Sequence, residues 1–173
     1  MTQELARIRF LLSDVDGVLT DGRIWFDPVT HAETKGFHVH DAAGLVYWHR
    51  CGGISGFVSG RKSQIIERRA TELGVAEVHL GHLQKLPVYE RILQRHGVAD
   101  DEVAYVGDDI LDLPVMRRAG FTAAPSDARP DVLEFVDHVT SVRGGFGAVR
   151  EVIEMLMKAR GAWDRVVAGE ALS

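Results

Sequence analysis

The fold is decided by the stretch Ile8-Arg9-Phe10-Leu11-Leu12-Ser13-Asp14-Val15-Asp16-Gly17. A short apolar run that ends in a polar, glycine-containing turn is typical of a strand buried on both faces of a sheet. Open α/β sheets bind their ligands at the carboxyl ends of such strands. The stretch therefore places Asp14 and Asp16 at an edge of a sheet where ligands bind, although a strand followed by an ordinary acidic turn is the more frequent explanation of such residues taken alone.

Length and composition limit the class of protein. The chain has 173 residues, of which 46% are hydrophobic and 26% charged, and this predicts one globular domain over residues 1–173. A net charge of −5 argues against a general nucleic-acid or anionic-membrane surface. Because Cys51 is the only cysteine, an internal disulfide or a multi-cysteine zinc site is excluded. The amino terminus lacks a signal-peptide pattern and no apolar run is long enough for a membrane span, so we expect a cytoplasmic protein that acts on a small molecule.

The segment 23–40 predicts a β-hairpin. Apolar residues alternate on both sides of the turn-like cluster Asp27–His31. Trp25 and Phe26 would leave apolar surface in water unless the hairpin packs on its own domain or on another subunit. His38 and His40 could share a face and bind a metal, but surface histidines without a third ligand are usually solvated.

A helix is predicted directly after the hairpin, with Asp41 as its N-cap and Trp48 packed in the core. The next strand, Ile54–Val58, leads into Ser59-Gly60-Arg61. A hydroxyl and free backbone amides at the end of a strand can hold a phosphate. The helix that follows has a basic face including Arg61 and Arg69, which is either a solvated surface or part of an anion site.

Two further strand ends carry charged residues. Lys85 follows the strand over 75–80 and opens a helix, where the helix dipole disfavours a cation unless an anion lies nearby. The strand Val103–Val106 ends in Asp108, Asp109 and Asp112. Three acids so close together repel one another unless a cation neutralises them, and carboxylate oxygens are the ligands that Mg²⁺ prefers. An acidic helix start without a metal is the alternative interpretation.

The alternation of strands and helices predicts an α/β fold with a doubly wound, mostly parallel sheet. The four strand ends would then meet at one edge of that sheet. Two acid clusters around a divalent ion, with a hydroxyl and a lysine beside them, provide what phosphoryl transfer requires. After the last glycine-rich loop a final helix is predicted near Val149, and the tail over 161–173 shows little pattern.

These strand ends resemble the motifs of the haloacid dehalogenase superfamily. The matching stretches are Asp14-Val15-Asp16-Gly17-Val18, Ser59-Gly60-Arg61, Lys85 and Gly107-Asp108-Asp109-Ile110-Leu111-Asp112. Within the superfamily, the chain is similar nearly from end to end to the 3-deoxy-D-manno-octulosonate 8-phosphate (KDO 8-phosphate) phosphatases, as seen in Leu19–Gly22, Val103–Met116 and Gly144–Val152. The resemblance implies a Rossmann-like domain with a protruding hairpin and no large cap domain, acting in the synthesis of lipopolysaccharide precursors.

The resemblance also implies roles for the acids. Asp14 would attack phosphorus to form an aspartyl-phosphate, while Asp16 would protonate the leaving sugar oxygen and then activate water. Mg²⁺ would be held by Asp14, by the backbone carbonyl of Asp16 and by Asp108, with Asp109 and Asp112 in the outer shell.

The remaining motif residues would bind the substrate. Ser59, Gly60 and Lys85 would hold the phosphoryl group, with Ser59 standing where the family often has Thr. Arg61 and Arg69 are candidates for gripping the carboxylate of a sugar acid, since Arg is suited to paired hydrogen bonds with that group. The family also implies a homotetramer in which the hairpin and a neighbouring subunit close the active site.

One departure and three alternatives follow. His40-Asp41-Ala42-Ala43-Gly44 stands where the family commonly has Arg-Asp-Gly-x-Gly, and related phosphatases of nine-carbon keto acids can carry Ala-Gly there. A non-catalytic stimulatory domain of the same fold would usually lack some motif acids, all of which are present here. A response-regulator receiver domain would not need Asp16. The sequence therefore favours a phosphatase, with KDO 8-phosphate preferred over a nine-carbon substrate.

Overall fold

A six-stranded parallel sheet forms the centre of the molecule. The structure is a computed structural model that describes residues 2–170. The strands in chain order are β1 (Phe10–Ser13), β2 (Trp25–Phe26), β3 (Glu33–Thr34), β4 (Ile54–Ser59), β5 (Glu77–Leu80), β6 (Val103–Val106), β7 (Phe121–Ala124) and β8 (His138–Val139). The central sheet has the order β5-β4-β1-β6-β7-β8, and β2 pairs with β3 in a separate antiparallel hairpin. The strands that end in the predicted motifs are therefore neighbours.

Helices cover both faces of this sheet. They are α1 (Thr2–Arg7), α2 (Val39–Arg50), α3 (Gln64–Leu73), α4 (Leu86–His96), α5 (Leu113–Met116), α6 (Pro130–Leu133), α7 (Ala148–Ala159) and α8 (Trp163–Val167), with a 3-10 turn at Asp100–Glu102. Because side chains alternate along β1, Leu11 joins the core with Trp48 while Phe10 and Leu12 join the core on the other face. The predicted doubly wound α/β fold and the core position of Trp48 are confirmed, and no separate cap domain is present within residues 2–170.

The hairpin is shorter than the predicted segment 23–40. Trp25 pairs with Thr34 and Phe26 with Glu33, whereas Val39 already belongs to α2. The helix starts early because His38 adopts extended backbone angles as the N-cap and its ring nitrogen accepts a hydrogen bond from the His40 amide, 3.3 Å away. Trp25 is 62% and Phe26 61% exposed, so the hairpin does not bury this aromatic pair on its own domain.

Asp41 does not cap its own helix, and the N-cap prediction was wrong. The residue is 2% exposed, and its Oδ1 accepts a hydrogen bond of 2.8 Å from the Arg150 amide in the first turn of α7. Burial raises the pKa of Asp41, against the effect of amide donors at the start of α7. Asp41 therefore joins α2 to α7, a long-range contact that local sequence pattern does not reveal.

The carboxyl-terminal segment has more structure than the predicted patternless tail. α8 runs over Trp163–Val167 and buries Val166. The Trp163 ring lies 6.4 Å from the Tyr47 ring and 5.0 Å from the Arg150 guanidinium. The part of the predicted tail over 171–173 lies outside the described residues. Within residues 2–170, no helix combines the length and apolar character needed to cross a lipid bilayer.

Candidate active site

A cleft opens where β4, β1 and β6 end, beside the loop that follows β5. Its volume is about 180 Å³. The lining residues are Asp14, Asp16, Ser59, Gly60, Arg61, Leu83, Lys85, Asp108, Asp109 and Leu111. The structure thus brings residues from all four predicted motifs into one place.

The parallel register explains how two acidic loops meet. The amide of Asp14 donates to the Val106 carbonyl across 2.9 Å, so the loops after β1 and β6 leave the sheet side by side. Gly17 then turns with a φ of +89°, and a Cβ there would stand 2.1 Å from Asp108 Oδ2. Only glycine accommodates both that backbone angle and that close approach. The glycine of the first motif therefore lets the two carboxylate loops pack together.

Three carboxylates form the centre of the site. Oxygens of Asp14, Asp108 and Asp112 all lie within 4.8 Å of one another. Burial, followed by the charges of Asp14 and Asp112, raises the pKa of Asp108 to about 8. Burial also raises the pKa of Asp14 to about 6, although the ammonium of Lys85 works in the opposite direction. The cluster of carboxylates therefore retains a proton near neutral pH unless a cation takes the place of that proton.

Asp112 connects the cluster to its surroundings. It is fully buried, and its Oδ1 accepts hydrogen bonds from Lys85 Nζ at 2.6 Å and from the Tyr105 hydroxyl at 2.7 Å. Its Oδ2 accepts from the amides of Asp108 at 3.1 Å and Asp109 at 3.2 Å. Asp112 thus fixes the backbone of the loop that carries Asp108, and it also holds the ammonium of Lys85 in place.

The cation at the start of α4 has the anionic partners that the sequence required. Lys85 is the N-cap residue of α4 and is 2% exposed. Its Nζ lies 2.7 Å from Asp14 Oδ2 as well as 2.6 Å from Asp112 Oδ1. Burial disfavours the ammonium, but the two carboxylates outweigh burial and raise the pKa of Lys85. Lys85 is therefore a fixed positive charge beside one oxygen of Asp14.

The other side of the cleft is formed by the turn after β4. Ser59 is buried, and its hydroxyl oxygen accepts a hydrogen bond of 3.2 Å from the Arg61 amide. Gly60 is half-buried and the Arg61 side chain is exposed on the rim. This turn therefore contributes a hydroxyl and the Arg61 guanidinium to the cleft that Asp14 lines.

Arg69 lies elsewhere in the chain's own fold. It is more than one turn into α3, where its guanidinium pairs with Glu72 at 3.2 Å and lies 5.8 Å from the centre of the Phe37 ring. It does not line the cleft. The helix carries Arg69 away from the turn after β4, so the structure brings Arg61 to the site but not Arg69.

Sequence reasoning missed a group of residues that contacts Asp16 from outside the cleft. Lys35 is buried, and its Nζ contacts Asp16 Oδ1 and lies 2.9 Å from Glu33 Oε1. Glu33 Oε1 also accepts a hydrogen bond of 3.1 Å from the Ser63 hydroxyl. The available signal was the conjunction of Glu33 and Lys35 in a hairpin next to an acidic motif, but nothing in the local pattern indicates which way a hairpin folds.

Comparison with known proteins places this chain in a family. The family model described as haloacid dehalogenase-like hydrolase matches residues 57–153. The chain belongs to that family. The 3-deoxy-D-manno-octulosonate 8-phosphate phosphatase KdsC of Escherichia coli strain K12 is 40% identical over 161 residues, which are 91% of this chain and 83% of that protein. The predicted resemblance is thereby confirmed over most of the chain.

Solved structures of family members share the fold closely. The KDO 8-phosphate phosphatase of Moraxella catarrhalis, in complex with magnesium ion, phosphate ion and KDO, gives a TM-score of 0.94 at 35% identity, covering 98% of this chain and 97% of that one. The cobalt-bound phosphatase of Haemophilus influenzae gives a TM-score of 0.92 at 37% identity, covering 98% of this chain and 99% of that one. The likeness extends over the whole fold rather than over the matched motifs alone.

Proposed function

We propose that this protein is a magnesium-dependent phosphatase that hydrolyses KDO 8-phosphate to KDO and phosphate. The observation that carries the proposal is the position of Asp14, whose Oδ2 lies 2.7 Å from Lys85 inside a cleft shared with Asp108. The similarity to KDO 8-phosphate phosphatases over nine-tenths of the chain supports the choice of substrate. Cytoplasmic action in lipopolysaccharide precursor synthesis is part of the same proposal.

Asp14 is assigned as the nucleophile and Asp16 as the acid and base. One oxygen of Asp14 attacks phosphorus, the bond from phosphorus to the sugar oxygen breaks, and Asp16 gives that oxygen a proton. Asp16 then takes a proton from water as the water attacks the aspartyl-phosphate and releases free Asp14. Lys85, 2.7 Å from Asp14 Oδ2, offsets the repulsion between the anionic carboxylate and the anionic ester.

The carboxylate cluster fits a divalent cation. Asp108 Oδ1 is buried and has no hydrogen-bond partner within the described part of the chain, although it lies among other carboxylates. Asp14 and Asp108, with the backbone carbonyl of Asp16, would hold Mg²⁺, while Asp109 and Asp112 support the loop around it. When bound, the ion supplies positive charge that draws the phosphoryl oxygens toward the carboxylate.

Phosphate binding is assigned to the turn after β4 together with α4. Ser59 and Gly60 offer a hydroxyl and a backbone amide, and Lys85 offers an ammonium, all on the cleft wall. These donors would contact the equatorial oxygens of a transferring phosphoryl group.

A substrate panel tests the proposed function directly. Phosphate release is measured with KDO 8-phosphate, a nine-carbon keto-acid phosphate, common sugar phosphates and p-nitrophenyl phosphate, each with Mg²⁺ and after chelation. We expect the highest kcat/KM for KDO 8-phosphate and loss of turnover without the ion. A higher kcat/KM for the nine-carbon ester would transfer the assignment to that substrate, which is the change that Ala42-Ala43-Gly44 suggests. An absence of turnover on every ester would favour the non-catalytic alternative.

Arg61 gives a prediction about specificity. Arg61→Ala is expected to lower kcat/KM for KDO 8-phosphate about 10- to 100-fold more than for p-nitrophenyl phosphate, because only the sugar acid has a carboxylate to grip and a charged hydrogen bond contributes about 1.5–3 kcal/mol. Steady-state kinetics with both substrates measures the difference. Arg68→Ala is the matched control, since the Arg68 side chain is 84% exposed and pairs with Glu72. Equal losses on both substrates would contradict the carboxylate assignment.

We keep Arg69 as a proposed substrate-binding residue only if the protein forms an oligomer. Because it does not line the cleft of its own chain, any contact with substrate requires a neighbouring subunit to present it. The proposed homotetramer provides such a neighbour.

The hairpin gives a prediction about assembly. Trp25 and Phe26 are more than half exposed on a two-stranded unit, and such apolar surface is typical of an interface. We expect a tetramer in light scattering, and we expect Trp25→Asp to shift it to smaller species while reducing sugar-phosphate turnover more than p-nitrophenyl phosphate turnover. Val167→Asp, at a position 71% exposed in α8, is the control. A fully active monomer at assay concentration would refute the assembly proposal.

A further inference from the structure

A chain of charges ties the hairpin to the catalytic loop. The Lys35 side chain is fully buried, and its ammonium contacts Asp16 Oδ1 on one side and Glu33 Oε1, at 2.9 Å, on the other. Glu33 in turn accepts a hydrogen bond from the hydroxyl of Ser63, which is the residue before α3. The link thus joins the loop after β1, the second hairpin strand and the start of α3.

We propose that Lys35 is a positioning residue for the reaction, holding Oδ1 of Asp16 so that the carboxylate keeps one orientation for proton exchange. Oδ1 is paired with Lys35, whereas Oδ2 is buried without a hydrogen-bond partner among residues 2–170, so Lys35 holds the carboxylate through a single oxygen. The inference rests on the proposed function, in which Asp16 is the acid and base.

The geometry favours positioning over direct substrate binding. The fully buried side chain of Lys35 does not line the cleft, so its ammonium cannot reach a substrate while it contacts Asp16. Asp16 itself lines the cleft and stands two residues after the nucleophile, where Gly17 turns the chain away. Without a fixed partner the short carboxylate would be free to rotate, and proton transfer depends on hydrogen-bond reach to the departing oxygen.

The proton-transfer role predicts a dependence on the leaving group. The three leaving groups differ in basicity, and a more basic leaving group depends more strongly on receiving a proton as it departs. The sugar alkoxide is the most basic, phenolate is less basic, and p-nitrophenolate is the least basic. The ratio kcat/KM reports the steps up to departure of the leaving group, so the later attack of water does not obscure the comparison. Phenyl phosphate and p-nitrophenyl phosphate are nearly equal in size, which separates this effect from substrate binding.

The experiment compares wild type, Asp16→Asn, Lys35→Met and Lys35→Arg on KDO 8-phosphate, phenyl phosphate and p-nitrophenyl phosphate with Mg²⁺. For Lys35→Met we expect kcat/KM to fall about 10- to 100-fold on KDO 8-phosphate but about 3-fold or less on p-nitrophenyl phosphate, with phenyl phosphate between them. Asp16→Asn should show the same order with larger losses. Lys35→Arg, which keeps a cation, should recover part of the loss. Arg23→Met removes an exposed cation from the base of the hairpin and should leave all three values unchanged.

The outcomes separate the two levels of the claim. No turnover by the wild type would overturn the proposed function, and an Asp16→Asn variant without leaving-group dependence would overturn the role of Asp16. If Asp16→Asn behaves as expected while Lys35→Met loses activity equally on all three esters, Lys35 only anchors the hairpin and the inference is wrong. Should Lys35→Met not fold, Glu33→Gln removes the second charge that fixes Lys35, and it must show the same substrate order with smaller losses for the inference to stand.

Discussion

Asp14→Asn is expected to abolish turnover while the protein remains folded. The amide keeps the shape of the side chain but removes the attacking oxygen anion and one ligand for the cation, so we expect kcat to fall on the order of 10⁴-fold or more. In the folded protein the same change removes a charge from a cluster whose oxygens lie within 4.8 Å of one another. It also removes the buried ion pair in which Lys85 Nζ lies 2.7 Å from Asp14 Oδ2, and these two effects on the metal-free stability oppose each other. The increase of the thermal midpoint on adding Mg²⁺ should shrink, because one ligand of the cation is lost.

Two measurements check this expectation. Phosphate release gives kcat, and thermal unfolding with and without Mg²⁺ gives the stability of the variant. Asp21→Asn changes an exposed acid in the same loop and is the matched control. Turnover of Asp14→Asn near the wild-type rate would contradict the aspartyl-phosphate mechanism, and an undiminished increase of the midpoint on adding Mg²⁺ would contradict the assignment of Asp14 as a ligand of the cation.

The sequence was sufficient to locate the strand ends of the site. Each motif residue follows a short apolar run, and parallel strands place their carboxyl ends on one edge of the sheet. The sequence alone could therefore predict that Asp14, Ser59 and Asp108 lie together, as they do in the cleft. The anomalous cation at a helix start was also informative. Lys85 needed an anion, and it has Asp14 and Asp112.

The sequence was not sufficient where a contact depends on how separate elements pack. Asp41 looked like a cap for the helix that follows it, yet it accepts the Arg150 amide of a helix more than one hundred residues later. Arg69 shares a basic helix face with Arg61 in the sequence, but the helix carries it away from the cleft. Lys35 lies in a hairpin whose orientation relative to Asp16 is set by burial of the Lys35 side chain and by Glu33, neither of which appears in a local pattern.

The hairpin combines exposed aromatic side chains with a buried lysine, and this combination connects its two proposed roles. Trp25 and Phe26 are exposed to solvent, where a second subunit can cover them. Lys35, next to the second hairpin strand, is buried and contacts Asp16. A subunit that covers the two aromatic side chains would limit the motion of the hairpin and thereby steady the contact between Lys35 and Asp16. The assembly and positioning proposals are therefore coupled, and Trp25→Asp should show part of the leaving-group dependence expected for Lys35→Met.

Removal of the metal is expected to give the protein an unusual dependence of stability on pH. Burial and neighbouring carboxylates raise the pKa of Asp108 from 3.8 to about 8, and burial raises that of Asp14 from 3.8 to about 6. At pH values between the unfolded pKa of 3.8 and the folded pKa of about 8, the folded protein binds more protons than the unfolded chain. The free energy of unfolding therefore falls as the pH rises from about 4 to about 8. The loss should be several kcal/mol, with Asp108 contributing the larger part, since one pKa unit corresponds to about 1.4 kcal/mol.

Magnesium should reverse this trend, because the bound cation takes the place of the proton and favours the ionised carboxylates. Chemical unfolding from pH 4.5 to 8.5, with chelator and with Mg²⁺, measures both slopes. Asp108→Asn removes the group with the larger shift and should flatten the metal-free slope, whereas Asp101→Asn changes an exposed acid outside the cluster and should leave the slope intact. If the metal-free wild type gained stability over this range, the cluster would already be ionised without a cation, and Lys85 alone would be enough to hold three carboxylates together.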